Sequence, residues 1–309
     1  MRAARARTSR PSRAAAPAAL RGSGGALLPS RHRRPPDTAV PARLAPDQSR
    51  GHLIAIGVFA GLDSEQRLIR RLLSTCPQRA QISFLVAGEL DMRALDEIET
   101  ALLALGVGGV RRVHLASRAD AERPETLGAI ENADLIVLAT IHPLKLTTLI
   151  GGTSLAKLLR RRNADGTPIA GLGAGAAALT EHMLASSGEA GATPRMGAIT
   201  LAPGLGLTNR VVIDQGGAAS DRIGRLLGAL ALNPFALGLG LDADTAAFIG
   251  PDNVLEVVGH GGVTLVDPSD VGPTNITEAG PQAPISITNL HLHALVHGTR
   301  YDLDFRRPL

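Results

Sequence analysis

The chain has 309 residues, 44% of them hydrophobic but only 2% aromatic, so a sizeable core has to be built from Leu, Ile, Val and Ala. Its formal charge of +4 is unevenly placed: residues 1–50 hold 11 Arg and no Lys against 2 Asp, whereas residues 51–309 hold 21 Lys and Arg against 26 Asp and Glu. The body is mildly acidic, which excludes a nucleic-acid-binding face on it, and no run approaches the ~20 apolar residues of a membrane span.

Residues 1–50 read as a disordered basic tail, because Arg-, Ala- and Pro-rich chain buries too little apolar surface to offset its ordering entropy. An organelle transit segment, an arm that touches polyanions and an extension from a misplaced start codon are the alternatives its composition leaves open. It has no long apolar region of the kind a secretory signal carries. The single cysteine, Cys76, has no partner for an intramolecular bridge and suits a reducing compartment. A cytoplasmic protein is expected, with residues 51–309 forming a single domain.

Taken in order, Leu53 to Val58 is a buried strand pattern, and Ser64 to Thr75 a helix with Leu68, Ile69, Leu72 and Leu73 on one face. Gln81 to Ala87 is the next strand, and Asp91 to Leu105 the next helix, with Gly106 as its C-cap. Arg111 to Leu115 predicts a strand, Pro124 to Asn132 a short helix, Asp134 to Ala139 a third apolar strand and Leu155 to Arg162 a helix with a basic end. The apolar run Pro168 to Leu172 then meets glycine at 171, 173 and 175, and an alanine-rich segment from Ala174 to Leu184 reads as helix. Beyond it, Ala198 to Leu201 and Arg210 to Ile213 predict strands and Asp221 to Leu232 a helix. From Leu237 onward short runs such as Ala246 to Ile249, Val254 to Val258 and Gly262 to Val266 make a β-rich finish. This alternation predicts a three-layer α/β fold, its mostly parallel sheet flanked by helices, with the site at the carboxyl ends of the strands.

The strand, sharp turn and helix around Gly173 fit two chemistries. In a nucleophile elbow, G-x-S-x-G, a strained serine stands between strand and helix; in a dinucleotide loop, G-x-G-x-x-G/A, glycine backbone approaches a pyrophosphate. Gly171 and Gly175 supply the elbow's frame, but Gly173 stands where the serine belongs. Gly171 to Ala176 also satisfies the dinucleotide pattern, yet between Glu189 and Asp214 there is no carboxylate to take a ribose. No cofactor is expected.

Several stretches occur together: Ile169-Ala-Gly-Leu-Gly-Ala-Gly-Ala176, Gly204 to Leu207, Val212-Ile-Asp-Gln215, Arg222 to Leu227, Asn233-Pro234, Leu239 to Thr245 and Leu295 to Gly298. In this order they resemble cyanophycinase and its serine-peptidase family, from about residue 52 nearly to the C-terminus. The resemblance implies an α/β fold with a serine on an elbow and a homodimer. It also implies cleavage of β-linked aspartyl-arginine dipeptides from cyanophycin, an aspartate polymer bearing arginine side groups.

Carried over residue by residue, the resemblance implies that all three triad positions have lost their functional groups. The elbow's Gly-Thr-Ser-Ala-Gly is here Gly171-Leu172-Gly173-Ala174-Gly175. The general-base histidine expected after Asp214-Gln215 is Gly216, and the acid expected between Asp242 and Asp244 is Ala243. The substrate loop Gly-Gly-Asp-Gln matches Thr140-Ile141-His142-Pro143, and Ser220 stands where an arginine is usual, although Arg222 and Arg225 remain. None of Gly173, Gly216 or Ala243 can attack, donate or accept through a side chain, so hydrolysis by the triad route is not expected.

The candidate ligand-binding residues are then Asp214, Gln215, Arg222, Arg225 and His142, the plainer reading of the first four being that they hold the helix starting near Asp221. Cyanophycin, its β-Asp-Arg dipeptide or an active relative is the expected partner. The alternatives are a hydrolase with displaced groups such as His142 and Thr180, and a nucleotide-binding module. Two patterns have the composition of metal ligands without a recognised spacing: Asp214, Asp242 and Asp244 with His142, and His291, His293 and His297. No metal site is expected from either.

Overall fold

Leu53–Ile56 (β1) begins a computed structural model that describes residues 49–61, 66–90, 92–185, 191–215 and 223–309. Its amides bond to two neighbours, parallel Ile169–Gly173 (β5) on one side and antiparallel Thr245–Ile249 (β10) on the other. β1 therefore stands at the centre of a nine-stranded sheet, where a strand of only Leu, Ile and Ala buried on both faces has to be.

The parallel half follows the alternation read from the sequence. After β1 come Arg67–Leu73 (α1), Gln81–Ala87 (β2), Met92–Ala104 (α2) and Gly109–Leu115 (β3). A 3₁₀ turn at Arg118–Glu122 leads to Pro124–Glu131 (α3), Leu135–Thr140 (β4), Pro143–Ile150 (α4) and Ser154–Ala164 (α5), and then to β5. Ala174–Ala178 (α6), His182–Leu184 (β6), Leu201–Pro203 (β7), Val211–Gln215 (β8) and Ile223–Leu232 (α7) follow. The β-rich finish is Leu237–Leu241 (β9), β10, Val254–Gly259 (β11), Gly262–Asp267 (β12), His291–Val296 (β13), Arg300–Asp302 (β14) and Arg307–Pro308 (β15). The large sheet has the order β15-β14-β11-β10-β1-β5-β4-β2-β3, and a second sheet has the order β13-β12-β9-β8.

Alternation along the strands divides the core. Leu53 and Ala55 of β1 face one cluster with Leu138, Ile169 and the helix α6, while Ile54 and Ile56 face another with Ile69, Leu72 and Leu102 of α1 and α2. Val212 and Val266 of the second sheet pack under α7. Three layers result, as the sequence predicts.

Three boundaries differ from expectation. The helix after Gly173 stops at Ala178, not Leu184, because the segment 204–208 competes for its carbonyls: Leu205 N–H bonds to Ala178 O and Leu207 N–H to Leu179 O. The strand read at Ala198 to Leu201 lies at Leu201–Pro203, and the strand read at Arg210 to Ile213 runs on to Gln215. The helix α4 is not anticipated, although Pro143 at its first position, followed by Leu144, Leu146, Leu149 and Ile150, is a start signal with helical spacing.

Among the described residues no helix is long and apolar enough to cross a membrane. Gly216, Ser220, Asp221 and Arg222 lie outside the described residues.

Candidate functional site

The carboxyl ends of β1, β4, β5 and β8 converge on one place. Register pairs Thr140 of β4 with Gly173 of β5, and Ile56 of β1 with Leu172, so the chain leaves these three strands at one level, and Gln215 at the end of β8 comes close to Gly173. At Gly173 it turns from strand to helix with φ 56° and ψ −125°. Left-handed backbone of this kind costs a residue with a β-carbon about 1–3 kcal/mol, and glycine adopts it freely.

The flanking glycines have a different cause. A β-carbon on Gly175 would stand 2.1 Å from Leu138 O, and one on Gly171 would stand 2.4 Å from Gly175 O. These two positions let α6 lie directly on β5 and β4. At Gly173 there is room: the nearest atoms to a β-carbon there are Thr140 O at 3.9 Å and Gln215 Oε1 at 4.0 Å. A side chain at 173 is therefore sterically permitted and would extend beside the end of β8.

Beside this turn is a cavity of about 340 Å³, bordered by His142 and its neighbours on one wall and by Asp214, Gln215 and Arg225 on another. His142 is the N-cap of α4, exposed, with backbone in the extended region. Asp214 and Gln215 end β8, and Arg225 lies in the first turn of α7. Arg225 grips Asp214 through two bonds, Nε to Oδ2 at 3.1 Å and Nη2 to Oδ1 at 2.5 Å, with both side chains under 10% exposed. A buried fork of this geometry ties α7 to β8, so Arg225 and Asp214 serve the helix and border the cavity at once.

The turn between β9 and β10, which carries Ala243, lies next to the end of β1, where Gly57 N–H bonds to Thr245 O. Both flanking carboxylates are occupied by backbone. Asp244 Oδ1 accepts from Ala60 N–H at 2.7 Å and Gly61 N–H at 3.2 Å, and Asp242 Oδ2 accepts from Gly262 N–H at 2.9 Å. They cap loops and do not join Asp214 and His142 at the cavity.

The displaced-nucleophile alternative loses one of its groups. Thr180 is fully buried, its hydroxyl within 2.9 Å of Ala177 O and of His182 O, so it fixes the end of α6 and does not face the cavity. His291 and His293 do share one face of β13, but His291 Nε2 lies 2.7 Å from Asp270 Oδ2 and His293 packs edge-on against the Tyr301 ring. Among the described residues no three His, Cys, Asp or Glu side chains are placed to hold a metal. The dinucleotide pattern is accounted for by packing, since Gly171 and Gly175 are covered by backbone.

The profile of peptidase family S51 matches residues 53–257, the span from β1 into β11 that holds every element of this site. The chain belongs to peptidase family S51. Cyanophycinase of Synechococcus elongatus is 34% identical over 279 residues, covering 88% of this chain and 86% of the relative. Cyanophycinase of Trichormus variabilis is 34% identical over 206 residues, 66% of this chain and 69% of its own length. Among solved structures, a peptidase from an acI-B1 Actinobacterium superposes with a TM-score of 0.60 at 16% identity, over 82% of this chain and 98% of its own, and shares the fold.

Proposed function

We propose that this chain is a catalytically silent member of peptidase family S51 whose cleft receives β-aspartyl peptide without cleaving it. The observation that carries the reading is Gly173: the strand-to-helix turn keeps its left-handed backbone and the space for a side chain, while the atom that would attack is absent. Acyl transfer by a triad needs an oxygen nucleophile, a base within hydrogen-bond reach and a group that orients the base. The family resemblance assigns these roles to Gly173, Gly216 and Ala243, and a frame without them retains only the small acceleration that backbone donors and binding supply.

Cyanophycin and its β-Asp-Arg dipeptide are the ligands suggested by the relatives, with Gln215, His142, Arg225 and Arg222 the residues to test. Pairing with a second copy or with an active relative is the other non-enzymatic role, served by the same frame. The enzyme alternative needs a displaced nucleophile, and among the described residues bordering the cavity there is no serine, threonine or cysteine.

Incubation of the full chain with insoluble cyanophycin tests the proposal. Release of dipeptide at the level of a protein-free blank, with the chain retained on the polymer, is the expected result. Release well above blank would overturn it, and a His142→Ala variant would then report whether that imidazole takes part. Neither release nor retention would turn the search to a protein partner.

A further inference from the structure

We infer that a second binding site, for an acylated arginine that carries a free carboxylate and a guanidinium, lies at the amino end of β1, away from the cleft at that strand's carboxyl end. The site is argued from its own side chains; only the source of its ligand rests on the reading of the chain as a holder of β-aspartyl-arginine.

A cavity of about 250 Å³ is bordered there by His52, which precedes β1, Arg71 of α1, Asp252 in the turn between β10 and β11, Glu256 of β11 and Arg300 of β14. Phe248, Glu256 and Arg300 are successive cross-strand partners in β10, β11 and β14, so their side chains stand in a row on one face of the sheet. Arg71 reaches that face from the helix. Its guanidinium lies 4.8 Å from the Phe248 ring centre, and its Nε and Nη2 both donate to Glu256 Oε2, at 3.0 and 2.8 Å. Nη1 donates to Ser74 Oγ at 2.9 Å.

This grip fixes the half-buried Glu256 carboxylate through one oxygen. Among the described residues, neither Glu256 Oε1 nor the Arg300 guanidinium has a hydrogen bond or ion pair, although the two residues are register partners. Asp252 is tied to its own turn, Oδ1 accepting from Val254 N–H at 3.2 Å. Burial, with a smaller push from Arg71, holds the His52 imidazole below its ordinary range, so at neutral pH it offers hydrogen bonds without charge.

Opposite charges with atoms to spare therefore border one small cavity. A lone carboxylate there would be drawn to Arg300 and repelled by Glu256, and a lone cation the reverse; a ligand bearing both charges can give each its counterion. An arginine whose amine is acylated, as a β-aspartyl link acylates it, has that pair of charges and no third. The volume is below the ~300 Å³ at which sites for drug-sized ligands begin, which suits one such side group.

Calorimetric titration of the full chain with Nα-acetyl-arginine tests the inference, beside Nα-acetyl-citrulline, which lacks the cation, and acetyl-agmatine, which lacks the carboxylate. Each analogue should bind at least ~10-fold more weakly than acetyl-arginine. Arg300→Gln, an exposed substitution, should lower acetyl-arginine affinity by a similar factor with an unchanged thermal unfolding midpoint. No binding of acetyl-arginine, an analogue that binds as tightly, or an affinity unmoved by Arg300→Gln would overturn the inference. None of these results touches the reading of the cleft, which retention of the parent on cyanophycin reports separately. Where the affinity falls as expected, weaker retention of Arg300→Gln on the polymer identifies its side groups as the source of the ligand, and unchanged retention identifies a free arginine derivative.

Discussion

Gln215 Oε1 lies 4.0 Å from the point at which a β-carbon on Gly173 would stand, and among the described residues outside the turn's own chain neighbours only Thr140 O is nearer. The end of β8 thus faces a turn from which a side chain is missing, and the space remains. Restoring the hydroxyl alone should therefore be tolerated and yet be insufficient. Gly173→Ser should lose about 1–3 kcal/mol of stability to the left-handed backbone and release no dipeptide from cyanophycin. Only together with Gly216→His and Ala243→Glu should release rise above blank. Denaturant unfolding reads the first effect and dipeptide analysis the second.

Gly175 should behave in the opposite way. With Leu138 O at 2.1 Å from its would-be β-carbon, even a methyl group forces α6 off β4. Gly175→Ala should cost about 3 kcal/mol or more, at the upper end for overpacking a core, against a smaller loss for Gly173→Ala. Urea midpoints of the two variants, measured side by side, check the ranking.

The Asp214–Arg225 fork is a structural tie as well as a cavity wall. Removing one member, as in Arg225→Met, leaves a buried carboxylate without its partner and should cost about 3–5 kcal/mol. Replacing both, Asp214→Leu with Arg225→Met, should recover part of that loss. A double-mutant cycle by chemical denaturation gives the coupling, and near-zero coupling would contradict the tie.

Tyr301 gives a pH dependence of defined sign. Burial, with a smaller contribution from Asp267, pushes its phenol up to about 12, above the ordinary value of 10.0. The unfolded chain releases this proton first, so the stabilisation is complete below about pH 10 and is lost as pH rises toward 12. The phenol is fully buried and, among the described residues, its oxygen has no hydrogen-bond partner, so Tyr301→Phe should be neutral or slightly stabilising at pH 7 and should flatten the alkaline decline. As the chain has one tyrosine and no tryptophan, tyrosinate absorbance follows this group alone.

Much of this was legible in the residues because the parallel half obeys local rules. β2 falls where Val, Leu, Phe and Ile run between turn signals, and Gly106 ends α2 with φ 87°, as a C-cap does. The site's frame was legible too, since glycine at 171, 173 and 175 between an apolar run and an alanine run has few other uses. What the sequence did not convey depends on distant contacts. Local propensity carries Ala174 to Leu184 on as helix, and only the bonds from Leu205 and Leu207 end it at Ala178. The engagement of Asp244 by Ala60 and Gly61, 184 and 183 residues away, likewise arises from the fold.

The most direct measurement is a quantitative one: β-Asp-Arg released from cyanophycin by the purified chain, followed by mass spectrometry beside a protein-free blank and an active cyanophycinase. A rate indistinguishable from the blank, unchanged in Gly173→Ala, is what a vacated turn predicts. Release well above blank that vanishes on removing His142 or Gln215 would mean that the chain attacks by another group, and would contradict the account.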